Sequence, residues 1–248
     1  MGFEMNKDRI LTGETGEKFL DLLFPPRCAL CDDVIPAGGG HICSDCRKKL
    51  IPIKEPTCYK CGKEVNSVET EYCKDCEKRT RSYVRGFPVF KYAPPLTDSL
   101  MAFKYAGKKE YAAFFADAIY ERFSAEFLRL LPDAIVPVPI NKHKLITRGY
   151  NQAELIAKLL GKRMNIPVRS DIIDRASDTK AQKELSPEER DRNLRNAFSV
   201  SLQVDIEVVL LVDDIYTTGS TIEACTRALH EAGVKSVYYT SVAIGTGN

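Results

Sequence analysis

The sequence predicts an α/β fold, a parallel-sheet domain preceded by a small cysteine-rich region that needs bound metal to hold its shape. Three observations carry this. From Tyr83 onward, short apolar runs alternate with amphipathic helical patterns, the order that builds a parallel, doubly wound sheet. One of these runs, Val208 to Val212, is apolar without interruption, as a central strand covered on both faces must be. Between Cys28 and about Arg81, long apolar runs disappear and Cys, Gly, Pro and Lys dominate. Such a segment cannot build a core from hydrophobic residues alone and requires a staple.

The chain has 248 residues, room for one large domain or a medium and a small one. Its net charge of +2 gives no whole-chain signal for a polyanionic partner. No apolar run reaches the length of a membrane span. Met1 to Ile10 is polar and lacks the apolar core of a secretory signal. Eight of the nine cysteines fall in CxxC pairs, a pattern of metal binding in a reducing compartment, so a cytoplasmic location is expected.

The elements follow in order, grouped as an entry segment (1–27), a cysteine region (28–81) and an α/β domain (82–248). Gly16 to Phe24 predicts a short amphipathic helix stopped by Pro25-Pro26. Tyr83 to Tyr92 has strand character. Tyr111 to Phe127 predicts a helix with Ala112, Phe115, Ile119 and Phe123 on one face. Ala134 to Val138 predicts a buried strand, Gln152 to Met164 a helix, and Pro167 to Ile173 a further strand. Asp174 to Asn196 is polar and predicts a loop. Thr221 to Ala232 predicts a helix closed by Gly233, and Val237 to Ile244 a last strand.

The cysteines form an internal repeat: Cys28/Cys31, Cys43/Cys46, Cys58/Cys61 and Cys73/Cys76, each pair beginning fifteen positions after the last. A CxxC knuckle sets two thiolates at the edge spacing of a tetrahedral ion, so four knuckles allow two four-cysteine zinc sites. Sequential pairing is the simplest; nested or crossed pairings stay open. Four thiolates leave no position for water or substrate, so the zinc is expected to be structural. Cys225 stands apart on the apolar face of a helix, with Ile222, Ala228 and Leu229, and is expected in the core.

The strand Val208–Val212 delivers two carboxylates, Asp213 and Asp214, to the edge of the sheet where open α/β folds bind ligands. Thr217-Thr218-Gly219-Ser220-Thr221 follows and opens a helix. Small hydroxylated residues and a glycine let successive N–H groups converge on an anion, and the helix N-terminus adds partial positive charge. Carboxylates beside a phosphate site need another partner, and vicinal sugar hydroxyls or Mg²⁺ supply one. Phosphate on one side and a diol on the other describe a ribose 5-phosphate.

This segment resembles the signature of type I phosphoribosyltransferases. That resemblance implies that Asp213 and Asp214 hold the ribose hydroxyls of phosphoribosyl pyrophosphate (PRPP) and that Thr217, Thr218, Gly219, Ser220 and Thr221 hold its 5-phosphate. Further motifs narrow it: Leu23-Phe24-Pro25-Pro26-Arg27-Cys28, Val136-Pro137-Val138-Pro139, Arg148-Gly149-Tyr150-Asn151-Gln152-Ala153-Glu154-Leu155, then Gln182, Glu189-Arg190, Asn193 and Ala197-Phe198. With the cysteine knuckles, nearly the full chain resembles the ComF family of competence-associated proteins, which join a zinc ribbon region to a phosphoribosyltransferase-like domain. The resemblance implies a pyrophosphate-contacting loop around Val138 and Pro139. It also implies a mobile loop bearing Arg190, Arg192 and Arg195, which with Arg148 suit bidentate pairing to pyrophosphate. His41, His143 and His230 offer no clear general base. Every N-terminal cysteine sits in a knuckle, so a glutamine amidophosphoribosyltransferase, which needs a nucleophilic cysteine there, is not expected.

Two stretches are basic with interleaved aromatics, the composition of a platform for single-stranded nucleic acid. One runs from Arg79, Arg81 and Arg85 to Lys104, Tyr105, Lys108 and Lys109; the other holds Lys142, Lys144, Arg148, Lys158, Lys162, Arg163 and Arg169. Three functions follow as expectations. The first is a PRPP-binding protein of transforming-DNA uptake with single-stranded DNA as partner. The second is a metabolic phosphoribosyltransferase with a nitrogenous acceptor. The third is a non-catalytic zinc-containing adaptor that docks a DNA-uptake helicase or translocation protein.

Overall fold

The computed structural model describes residues 25–36, 38–175, 197–200 and 204–245. Four parallel strands form the main sheet in the order β1 (Gly86–Lys91), β6 (Ser236–Ile244), β5 (Val208–Tyr216), β2 (Ala134–Pro137). Period-two alternation explains why it must be covered on both faces. On β5, Leu210 and Val212 join one apolar cluster, whereas Val209 and Leu211 join the other. The first cluster is filled by α3 (Leu96–Tyr105), α4 (Tyr111–Leu130) and α6 (Gln152–Met164). The second is filled from α7 (Ser220–Glu231), through Ile222, Cys225 and Leu229. Cys225 is fully buried, and that burial pushes its thiol well above its ordinary value, as a core cysteine requires.

The cysteine region adds two short helices, α1 (Ser44–Lys49) and α2 (Lys74–Lys78), and divides between the two faces. Cys28, Ala29, Ile35, Ile42 and Cys46 pack into the first cluster; Ile53, Cys58, Cys61 and Cys73 pack into the second. The chain between them covers the free edge of β1, with Ile53 N–H donating to Val89 O (3.0 Å) and Lys91 N–H to Ile51 O (2.8 Å).

Several elements depart from the sequence expectation. Pro167 to Ile173 is no continuous strand. Ile135 N–H donates to Pro167 O (2.9 Å) and Arg169 N–H to Ile135 O (2.9 Å), a single bridge at Val168, after which the chain turns away. The start of the 174–196 loop is instead a ladder, β3 (Ile173–Arg175) antiparallel to β4 (Phe198–Val200). A helix unmarked by apolar periodicity, α5 (Lys142–Arg148), lies between β2 and α6. Lys142 to Thr147 are all exposed, so no apolar stripe is needed. End signals set it instead: the Asn141 side chain accepts from Lys144 N–H (2.8 Å), and Gly149 closes it with φ 76°. The expected helix at Gly16–Phe24 lies outside the described residues.

Candidate functional site

The strand β5 runs past Val212 through both carboxylates to Tyr216, and the loop after it leads into α7. The adjacent β2 delivers Val138, whose N–H donates to Val212 O (2.9 Å), so the loops following the two strands lie side by side. Together they border a cleft of about 220 Å³ lined by Val138, Pro139, Arg148, Asp213, Asp214 and Thr221, among others. Sequence candidates for a sugar phosphate thus converge at the C-terminal edge of the sheet.

Electrostatics in the cleft are uneven. Burial and the neighbouring Asp214 charge push the Asp213 carboxyl well above the ordinary carboxylate range. Asp213 Oδ1 accepts from Asp214 N–H (2.8 Å). Lys104 from α3 reaches Asp214 with Nζ 2.6 Å from Oδ2, and both side chains are largely shielded. Beside them Arg148 lies over the Tyr105 ring, 4.8 Å from its centroid, and donates to Gln152 Oε1 (2.8 Å). Gln152 is buried, and its Nε2 finds no partner among the described residues.

Nucleic-acid candidates are thereby sorted. Lys104, Tyr105, Lys144 and Arg148 line the same cleft as the carboxylates. Lys142 is exposed on α5, and Lys108 is held at the first cysteine cluster by Asp32 (2.7 and 2.8 Å). Arg190, Arg192 and Arg195 lie outside the described residues.

In the loop Thr217–Thr221, Gly219 has φ 77°, a conformation that side chains disfavour. A Cβ there would also strike the Tyr216 ring. Thr218 Oγ1 lies 3.1 Å from Ser220 Oγ. Behind the loop stand residues that sequence reading did not assign to it. Arg81 Nη2 donates to Thr218 O (2.6 Å). Ser82 donates from N and Oγ to Glu223 on α7 (2.8 and 2.7 Å). The Tyr83 and Tyr216 hydroxyls lie 2.8 Å apart. Asn151 caps α6 through its side-chain oxygen and donates to Val138 O (3.0 Å), fixing the β2 loop. Arg81 was visible in the sequence only as one of a run of basic residues; its link to a loop 137 positions away leaves no local mark.

The cysteines gather in sequential pairs, Cys28, Cys31, Cys43 and Cys46 in one group and Cys58, Cys61, Cys73 and Cys76 in the other, all ligand atoms of a group within 4.8 Å of one another. The Cys31–Cys43 and Cys61–Cys73 sulfurs are 3.9 and 3.5 Å apart. A tetrahedral ion with bonds of about 2.3 Å to sulfur sets its ligands roughly 3.8 Å apart. Both groups therefore fit structural zinc.

Comparison with known proteins defines the class first. Residues 19–77 match the double zinc ribbon domain, and residues 145–244 match the phosphoribosyl transferase domain. Competence protein F of Haemophilus influenzae is 31% identical over 218 residues, covering 85% of this chain and 93% of its own. The DNA utilization protein YhgH of Escherichia coli K12 is 30% identical over 221 residues, covering 87% and 96%. Competence protein ComFC of Bacillus subtilis is 30% identical over 204 residues, covering 77% and 79%. The chain belongs to the ComF family.

Among the described residues, no helix is long and apolar enough to cross a membrane.

Proposed function

We propose that this protein binds PRPP in the β2–β5 cleft and acts with single-stranded DNA in the uptake of transforming DNA. The observation that carries the reading is the shared lining of one cleft: Asp213, Asp214 and Thr221 together with Lys104, Tyr105, Lys144 and Arg148. Carboxylates match a diol, the loop Thr217–Thr221 matches a 5-phosphate, and cations match pyrophosphate or a nucleic-acid backbone. The paired carboxylates and a pyrophosphate ligand together make Mg²⁺ the expected ion. Its chemistry would be neutralisation of the pyrophosphate leaving group. Arg148 stacked on Tyr105 offers a cationic face beside an aromatic one, as single-stranded binding surfaces do. The relatives' names, competence protein and DNA utilization protein, support a role involving DNA.

Titration of PRPP with Mg²⁺ tests this directly. Wild type should bind, and Asp213→Asn/Asp214→Asn should lose affinity by about a hundredfold or more, since each lost carboxylate strands a sugar hydroxyl. Lack of binding by wild type overturns the reading. A parallel titration with single-stranded DNA should weaken steeply with salt; a flat slope removes the DNA partner.

A further inference from the structure

The loop proposed to hold the 5-phosphate contains no cation: Thr217-Thr218-Gly219-Ser220-Thr221 offers N–H groups and hydroxyls alone. A phosphate ester carries nearly two negative charges at neutral pH. One cation hydrogen-bonded to the loop itself comes from outside the phosphoribosyl transferase match, at the exit of the second cysteine site.

Arg81 follows Cys76 by five positions and is 8% exposed. Its guanidinium donates to Thr218 O (2.6 Å), and its Nε has no partner among the described residues. No carboxylate among the described residues lies within ion-pair distance of Arg81; Glu223, the nearby acid, is taken by Ser82 and Arg227. Burial works against its charge, but Tyr216, Tyr83, the Cys76 thiol and Glu223 around it more than offset that at longer range, so Arg81 stays a charged group with no ion-pair partner in contact. A phosphate bound in the adjacent loop would add a nearer negative charge to those surroundings.

The hydrogen bond has a second consequence. In a trans peptide the C=O and the following N–H point in opposite directions. Holding Thr218 O toward Arg81 turns the Gly219 N–H away from it, to the opposite side of the peptide. Tyr216 fixes the same peptide from below, because its ring occupies the space a Gly219 side chain would take. Tyr216 stacks on Tyr239 (4.9 Å, 8°), and Tyr239 Oη donates to Cys61 O (2.8 Å). The second cysteine site thus reaches the phosphate loop by two routes, through Arg81 and through the tyrosines.

We propose that Arg81 is a positioning and charge-supplying residue of the phosphate loop, presented by the second four-cysteine site, and that it tunes the loop for a doubly charged phosphate ester. This rests on the PRPP reading of the loop.

The test uses the full-length, zinc-loaded chain and two probes of equal shape, ribose 5-phosphate and the singly charged ribose 5-sulfate. Wild type should prefer the phosphate. Arg81→Gln should weaken ribose 5-phosphate roughly ten- to a hundredfold, the worth of one charge-assisted hydrogen bond. It should weaken the sulfate much less, so that the preference shrinks. Arg81→Lys should keep the preference and lose part of the affinity. Arg129→Gln, an exposed arginine far along α4, should match wild type.

Binding by Arg81→Gln within twofold of wild type overturns the proposal while leaving the PRPP reading intact. So does an equal loss for both probes, which marks a purely structural role. If Arg81→Gln fails to fold or retains fewer zinc ions than wild type, Arg81→Lys decides, and unchanged affinity in that variant is the overturning result. Wild type that binds neither probe removes the PRPP reading, and this inference with it.

Discussion

The two four-cysteine sites share one spacing and sit on opposite faces of the sheet, where they brace different halves of the same cleft. The first leans on the helical face. Ser99 Oγ donates to Ala29 O, while Lys108 and Tyr111 converge on Asp32. These contacts hold α3, which carries Lys104 and Tyr105, and the start of α4. The second leans on the opposite face and holds the Thr217–Thr221 loop and α7 through Arg81, Ser82 and Tyr239. Burial follows the division: Cys31 is exposed and Cys43 partly so, whereas Cys58, Cys61 and Cys73 are all buried. One repeat has become two supports of unequal depth. The difference teaches that a repeated motif fixes local geometry alone, and that its surroundings decide what it supports.

Replacing a ligand in each site should break this symmetry most visibly. Cys61→Ser removes a thiolate that is 1% exposed, in a residue whose carbonyl also receives Tyr239. A structural zinc site is worth about 10 kcal/mol or more in isolated fingers, comparable to the whole stability of a domain. We expect insoluble or phosphate-blind protein, read by zinc content and ribose 5-phosphate titration. Cys31→Ser should cost less, lower the melting temperature, and leave ribose 5-phosphate binding within a few fold. Equal loss of phosphate binding in both variants would show that the two supports are not separate.

Lys104→Met probes the first face at the cleft itself. It leaves Asp214, a shielded carboxylate, without its cation at 2.6 Å. Removing one partner of such a pair costs about 3–5 kcal/mol when burial is complete, and somewhat less here because both side chains keep some exposure. Lys104→Met/Asp214→Asn should regain most of that stability in thermal unfolding. Both variants should bind single-stranded DNA more weakly with a shallower salt slope, by roughly one ion. A stable single variant with an unchanged slope would detach Lys104 from both roles.

Much of this arrangement was legible in the sequence, for reasons that differ by element. The strand Val208–Val212 announced itself because burial on both faces forces an unbroken apolar run. The Thr217–Thr221 loop and the carboxylates before it could be proposed for a sugar phosphate because their chemistry is local: carboxylates, hydroxyls and glycine stand in one stretch. Zinc pairing was left open, since spacing alone does not say which knuckles meet. α5 was hidden because a helix exposed all round needs no apolar stripe, and Pro167–Ile173 misled because an edge segment with strand composition makes only one bridge. Arg81 and Glu223 were hidden for a deeper reason. Their partners lie 137 and 141 positions away, and nothing in a basic residue or a helical glutamate names a distant carbonyl or serine.

The smallest expected effect lies on β5, where the two faces meet. Asp213 is held well above the ordinary carboxylate range by burial and by Asp214. A carboxyl raised in the folded state stabilises the fold below its unfolded pKa and gives up that contribution as pH rises through the folded value. Above its unfolded pKa the group is therefore a cost to the ligand-free protein. Asp213→Asn removes the cost and keeps the shape. The variant should melt higher than wild type at pH 8, and the gain should shrink toward pH 5. It should also lose ribose 5-phosphate affinity, because a site shaped for a ligand is often strained without it. Stabilisation with retained binding would show Asp213 to be a passive core group; no stabilisation would show that Lys104 already balances both carboxylates from the first face.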